Sequence, residues 1–306
     1  GQGRITNGVN RAGEPHKITS PDRLTFESKE LATSNPTTTA AVVNWEQSGE
    51  GEGVKIELRT FDGTVWSPWI LSESGEEGRD DKPLSHSAII LSKDIKKVQY
   101  KFQLEGQDGA NSPIVDLSTV TIDTIDTSRG PSVDQKTMWQ KITQSVKLDD
   151  TAYARTGQPA PHIYSRAEWG SPEPESSPNW EPEYRELDRA IVHHTATTAT
   201  ADSAAAIRAI WQFHTYGRGW GDIGYNYLVD QSGRIFQGRY FDHGYAYTND
   251  VDVVGGHALG HNYGSTGISA LGDFTNTNPS SALLHGIGYT ASYKLGAYNI
   301  DPGSGG

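Results

Sequence analysis

Arg189-Ala190-Ile191-Val192-His193-His194-Thr195-Ala196-Thr197 is an apolar run that ends in two histidines and a threonine. Arg189 to His193 predicts a buried strand that delivers a histidine at its end. Adjacent strand side chains point to opposite faces, so only one of His193 and His194 can face a given site. A histidine pair after a strand is structural more often than metallic, so the surrounding sequence has to decide. Downstream, residues 201–216 predict a helix that Asp202 or Ser203 can cap, with Ile207, Ile210, Trp211 and His214 on one inward stripe. The glycine-rich exit 217–221 leads into a predicted strand, 222–229. Tyr225 and Tyr227 share one face of that strand. His257 and His261 have a spacing that suits zinc on a helix, but Gly255, Gly256 and Gly260 argue against a helix there.

The order of these pieces carries more than any one of them. His193-His194-Thr195 is followed by Phe213-His214 and then Gly219-Trp220-Gly221-Asp222-Ile223-Gly224-Tyr225-Asn226-Tyr227. Gly233-Arg234-Ile235, Gly238-Arg239, Gly255-Gly256-His257-Ala258 and Asn262-Tyr263-Gly264-Ser265-Thr266-Gly267-Ile268 complete the set. With Ser165-Arg166-Ala167-Glu168-Trp169-Gly170 upstream, this half of the chain resembles the zinc-dependent N-acetylmuramoyl-L-alanine amidases and the peptidoglycan recognition proteins. The resemblance implies a mixed central sheet flanked by helices. It also implies hydrolysis of the amide joining N-acetylmuramic acid to L-alanine in peptidoglycan by a zinc-activated water.

Residue by residue, the resemblance makes His193 a zinc ligand and leaves His194 to packing or a hydrogen bond. Tyr225 becomes the phenol that assists the attacked carbonyl, since an O–H aimed at developing negative charge stabilises it. His214 lies on the floor of the glycan-peptide groove, and His257 and Asn262 line it. Gly219-Trp220 goes with stem peptides that contain meso-diaminopimelate. Position 261 carries no role in the family, and Ser269 stands where some relatives place an acidic base, so no base is transferred. Catalytic zinc takes three protein ligands and a water. The two other family ligands, a His and then a Cys or Asp, are expected beyond Gly306, unless His257, His261 or His285 completes the set. A non-catalytic peptidoglycan binder is the alternative, and a structural envelope protein is a more distant one.

Composition narrows the classes. The 306 residues suffice for two domains. The net charge of -12 divides evenly: residues 1–150 hold 17 Lys and Arg against 23 Asp and Glu, a balance of -6. Without a basic patch, nucleic acid binding loses its main electrostatic term. No apolar run is long enough to predict a membrane span. There is no cysteine, which excludes disulfides and the family's Cys ligand within these residues. The acidic stretch 73–81 lacks calcium-ligand spacing and reads as a solvated loop. The chain starts at Gly1, as if a leader had been removed or the chain began inside a longer protein, and a secreted or envelope location is expected.

The first half alternates differently. Val54, Ile56 and Leu58 share one strand face, Asp62-Gly63 marks a hairpin turn, and 65–71 predicts the returning strand. Residues 87–91, 98–104 and 115–125 repeat the pattern, which argues for an antiparallel β-sandwich. Phe61-Asp62-Gly63 and Trp66-Ser67-Pro68-Trp69 resemble the N-terminal β-domain of large secreted bacterial amidases, and strand alternation would put Trp66 and Trp69 on opposite faces. The expected class is α+β and multidomain. A loosely ordered lead-in occupies 1–38, a β-sandwich 39–127 and a linker 128–162, with a short helix at 136–146. The α/β amidase domain occupies 163–306. Its last helix, 280–297, is expected to bury Leu284, Ile287, Ala291 and Leu295.

Overall fold

The structure, a computed structural model, describes residues 2–6, 17–18, 23–35, 37–48, 53–72, 77–82, 86–105, 113–132, 161–198, 202–242, 246, 251–298 and 300. By contact the chain forms two units. One comprises Gly1–Gly75 with Leu84–Arg129, and the other Glu76–Pro83 with Gly130–Gly306. The helix expected at 136–146 lies outside the described residues.

The first unit holds strands β1 (Gln2–Thr6), β2 (Lys17–Ile18), β3 (Arg23–Glu27), β4 (Leu31–Ala32), β5 (Ala40–Ser48), β6 (Val54–Phe61), β7 (Ile70–Ser72), β8 (His86–Leu91), β9 (Lys97–Glu105) and β10 (Ile114–Ile125). They make two antiparallel sheets, β1-β10-β5-β8 with β2 on β10, and β3-β9-β6-β7 with β4 on β9. Val43, Trp45, Ile90, Val115 and Ile122 from one sheet share a core with Ile56, Leu58, Tyr100, Phe102 and Leu104 from the other. Residues 1–38, expected as a loose lead-in, supply four of these strands. Their polar composition hid them, because β1 to β4 run along longer partners and take their register from β9 and β10.

Trp66 and Trp69 also depart from expectation. Between Phe61 and Ile70 only an isolated bridge, Phe61 to Trp66, continues the pairing, so strict alternation does not hold there. Both indoles instead face one guanidinium: Arg59 Cζ is 4.8 Å from the Trp66 ring centroid and 4.4 Å from that of Trp69. A cation over an aromatic face is attracted by the ring quadrupole.

The second unit is α/β. Its central sheet runs β11 (Ile163–Tyr164), β15 (Ile235–Gln237), β14 (Tyr227–Val229), β17 (Ser265–Ala270), β13 (Arg189–His194). The β14–β15 pair is antiparallel and the others are parallel. A separate pair joins β12 (Tyr184–Arg185) to β16 (Asp252–Val253). Helix α1 (Ser203–Gln212) packs Ala204, Ile207, Ile210 and Trp211 against Leu228 and Phe236. Helix α2 (Ser281–Ala297) packs Leu283 against Tyr227, Val229 and Ile268. Leu228 and its neighbours Tyr227 and Val229 alternate along β14, so the two helices cover opposite faces of the sheet.

Three expectations change here. The strand 189–194 is not buried: it ends the strand order and pairs only with β17, leaving Val192 54% exposed. The predicted strand 222–229 contracts to β14, with Tyr225 ahead of it in irregular backbone. On helix α2, Leu295 is buried and Ile287 and Ala291 pack against the core as expected, but Leu284 is exposed, and Leu283, Gly286, Thr290 and Lys294 also turn inward. Gly286 lets the helix approach, since a Cβ there would meet Val229 Cγ1 at 2.7 Å. Buried Lys294 pairs with Asp252 at 3.0 Å.

Asp222 ties several segments of the unit to one buried point. Its carboxylate accepts from Arg166 Nη1 at 2.9 Å, Arg239 Nη1 at 2.9 Å, Trp211 Nε1 at 2.9 Å, and the amides of Ile223 and Tyr240. All three charged side chains are fully buried. Burial lowers the Arg239 pKa to about 10 even with Asp222 beside it, so Arg239 stays charged at neutral pH. Asp222→Asn should leave two buried guanidinium groups without their counter-charge and destabilise the second unit by about 3–5 kcal/mol. Denaturant unfolding followed by tryptophan fluorescence measures this, and a loss under about 1 kcal/mol would show the pair to be solvated in a way the fold denies.

Candidate functional site

The two histidines of β13 diverge as strand geometry requires. His193 turns to the loop after β16, where its Nε2 lies 3.0 Å from His257 Nδ1. His194 turns the other way, its Nδ1 accepting from the Phe274 amide at 3.0 Å. Gly267 makes room for the first arrangement, because a Cβ there would stand 2.3 Å from the His257 ring. Asn262 fixes the loop: its Oδ1 accepts from the amides of His257 at 2.8 Å and Ala258 at 3.0 Å. That stretch is turns rather than helix, and the His261 carbonyl accepts from Ser265 Oγ.

From the other side, Asp202 caps α1 by accepting from the Ala205 amide. The helix then widens into a π-turn over Phe213–Gly217. This places His214 inward, with Nδ1 accepting from the Gly224 amide at 3.1 Å. Gly219 follows in the left-handed region, φ 66°, where a side chain would be strained, and it swings Trp220 back over His214. Ring centroids are 4.6 Å apart for His214 and Trp220, 5.4 Å for His214 and Tyr225, and 6.3 Å for Tyr225 and His193. His193, Tyr225, His214 and Trp220 therefore form a continuous line, with His257 and Asn262 next to His193.

The electrostatics favour neutral groups. Burial, and then the charge of Arg218, hold His214 well below the usual histidine range. Burial, and then the neighbouring His193, lower His257 to about 3. Burial and the Glu77 carboxylate push the Tyr225 phenol well above its ordinary 10. At neutral pH Tyr225 is thus a hydrogen-bond donor, the state in which it can stabilise negative charge.

Glu77, Gly78 and Arg79 depart from the solvated-loop reading of 73–81, whereas Asp80 and Asp81 are exposed as it expects and 73–76 lie outside the described residues. Tyr225 OH donates to Glu77 Oε1, and Glu77 Oε2 lies 3.6 Å from Arg218 Nη1 and 3.8 Å from His214 Nε2. Asn262 Nδ2 donates to Gly78 O at 2.7 Å and to Asp80 Oδ1 at 3.0 Å. Arg79 is 8% exposed, stacks on Trp180 at 4.0 Å and donates to Trp220 O. Charge density alone suggested solvent; the partners are distant in sequence, so no local signal revealed them. Arg218 was missed for the same reason.

Three protein ligands are the norm for catalytic zinc. Among the described residues, no group of three or more His, Cys, Asp or Glu side chains stands close enough to hold a metal. The donors present, His193 with His257 beside it, do not by themselves make up a zinc site.

Similarity to known proteins follows the same residues. Residues 183–304 match the Amidase_2 family, described as N-acetylmuramoyl-L-alanine amidase. The matched residues lie in the second unit. Peptidoglycan-recognition protein SC2 of Drosophila melanogaster is 33% identical over 125 residues, which are 40% of this chain and 61% of that protein. An N-acetylmuramoyl-L-alanine amidase of Sus scrofa is 32% identical over 158 residues, 50% of this chain and 24% of that protein. The chain therefore spans less than two thirds of either relative. Among solved structures, peptidoglycan recognition protein-LE in complex with tracheal cytotoxin is 30% identical, with 46% of this chain and 77% of that chain covered and a TM-score of 0.38.

The buried, neutral His214 gives a pH signature. Its folded pKa lies below the ordinary 6.5, so the unfolded chain binds more protons as the pH falls below 6.5. The His214 contribution to stability is complete above about pH 6.5 and is lost progressively below it. Glu77 has the opposite sign, because burial raises its pKa. His214→Asn keeps an acceptor for the Gly224 amide and removes the titration. Thermal midpoints from pH 7.5 to 5 should fall less for this variant than for the wild type. Parallel slopes would overturn the assignment.

Proposed function

We propose that the second unit takes the muramyl peptide of peptidoglycan into the cleft between the His257–Asn262 loop and the π-turn, and acts at the amide joining N-acetylmuramic acid to L-alanine. The observation supporting this reading is the single line of His193, Tyr225, His214 and Trp220, closed by His257 and Asn262. These residues come from four separate segments of the sequence. In this reading Tyr225 donates to the carbonyl oxygen as charge develops. His214, Trp220, His257 and Asn262 shape the groove, and Gly219-Trp220 selects the meso-diaminopimelate stem. His193 is the zinc ligand the resemblance implies, and zinc would supply the activated water. The first unit is taken as a β-sandwich and the protein as secreted or held at the envelope. No described helix is long and apolar enough to cross a membrane.

Calorimetric titration with muramyl tripeptides tests the reading. The meso-diaminopimelate form should bind more tightly than the lysine form, and a clear lysine preference would sink the specificity assignment. Binding without any release of stem peptide from sacculi would mark the unit as a recognition module rather than an enzyme. In a form of the protein that turns over, Tyr225→Phe should slow release by roughly 10²–10³-fold with little change in affinity. An unchanged rate would remove Tyr225 from catalysis. His193→Ala should lower bound zinc, measured by metal analysis, while His194→Ala should not; equal loss from the two folded variants would contradict the opposite-face argument.

A further inference from the structure

We propose that residues 77–82 are a built-in occupant of this cleft, a carboxylate-bearing strap that an incoming acidic peptide must displace. The inference rests on the muramyl-peptide reading of the cleft and adds its regulation. The strap groups by contact with the second unit. It uses the polar groups that the cleft offers a ligand. Glu77 takes the Tyr225 hydroxyl, the donor assigned to the attacked carbonyl. Asp80 Oδ1 takes the Gly260 amide at 2.6 Å and shares Asn262 Nδ2 with the Gly78 carbonyl. Arg79 reaches the Trp220 carbonyl, and its Cγ packs 3.0 Å from where a Gly256 Cβ would stand. With Tyr225 and Asn262 so engaged, neither is available to another ligand.

The nature of these contacts separates an occupant from a piece of scaffold. Neither apolar core of the second unit includes a residue of 77–82. Hydrogen bonds, charge and the stacking of Arg79 on Trp180 hold the strap, and a ligand carrying carboxylates can replace the contacts of Glu77 and Asp80. Glu77 is also poorly served. Its side chain is 16% exposed, yet its cationic neighbour Arg218 stands 3.6 Å away, beyond hydrogen-bond distance, and burial raises its pKa. A carboxylate held at such cost makes the strapped state easier to displace. The chemistry also says what displaces it. An extended peptide with carboxylates spaced to meet Tyr225 with Arg218, and Asn262 with the Gly260 amide, would repeat the contacts of Glu77 and Asp80.

A ligand that needs the strap out of the cleft has its apparent Kd raised by the reciprocal of the unstrapped fraction. The test is calorimetric titration of the full 306-residue chain with the meso-diaminopimelate muramyl tripeptide. Two variants are compared with the wild type. Glu77→Ala/Asp80→Ala keeps the backbone, and a second variant replaces 77–82 with six Gly and Ser residues. A Kd at least about tenfold lower in either folded variant is expected, as for a strap in place roughly nine-tenths of the time. Unchanged or weaker binding in both overturns the strap while leaving the cleft assignment standing, because the segment would then be neutral or part of the binding surface. No binding by any form overturns the muramyl-peptide reading and the strap with it.

Discussion

Two arginines and one aspartate in a dry interior set the frame on which the cleft is built. Arg166 comes from the turn after β11, Asp222 from the exit of the π-turn and Arg239 from the end of β15. A carboxylate removed from water is costly unless every lone pair is met, and Asp222 meets five donors. Those bonds tie the ends of three elements to one point. Arg239 also donates to the carbonyls of Trp180 and Glu181, and Arg166 to that of Gly238, extending the network along the cleft's underside. Gly221, Ile223 and Gly224 cannot shift without stretching it. The Gly224 amide, which orients His214, is thereby fixed too.

The ordering of polar groups above this frame follows from backbone conformations that only glycine permits easily. Gly219, at φ 66°, turns Trp220 onto His214, and Gly267 vacates the volume that the His257 ring fills. Gly219 acts through its left-handed backbone, since a Cβ there would meet open space, whereas Gly267 acts through the room that its missing Cβ leaves. A glycine in these motifs therefore shapes the site as directly as the rings it admits.

How much could be seen in the sequence depends on the range of the interaction. Strand alternation is local, and it separated His193 from His194 correctly in direction. The capping aspartate and the inward stripe of α1 are also local, and they placed His214 inside. The turn-rich character of 255–264 followed from its glycines. What failed was non-local. Residues 1–38 look featureless because their strand character is conferred by β9 and β10. On helix α2 the apolar stripe foretold Ile287, Ala291 and Leu295 but not buried Lys294, because no periodicity in 280–297 encodes its partner Asp252, 42 positions earlier. The edge position of β13 likewise depends on the order of strands, which a single strand's sequence does not carry.

The strap is the sharpest instance of the same limit. Glu77-Gly78-Arg79-Asp80-Asp81 has the composition of a solvated turn, and composition judges a segment against water. The competing environment here is a cleft already furnished with a phenol, a guanidinium, a carboxamide and a free backbone amide. Groups arranged to receive the carboxylates of one peptide receive those of another if the chain can bring them there. An intramolecular segment does so at high effective concentration, so modest contacts suffice to hold it. Its polar character then suits the contacts of Glu77, Gly78 and Arg79, while Asp80, Asp81 and Lys82 keep an exposed face. The sequence feature that argued most strongly for exposure is the one that matches the site.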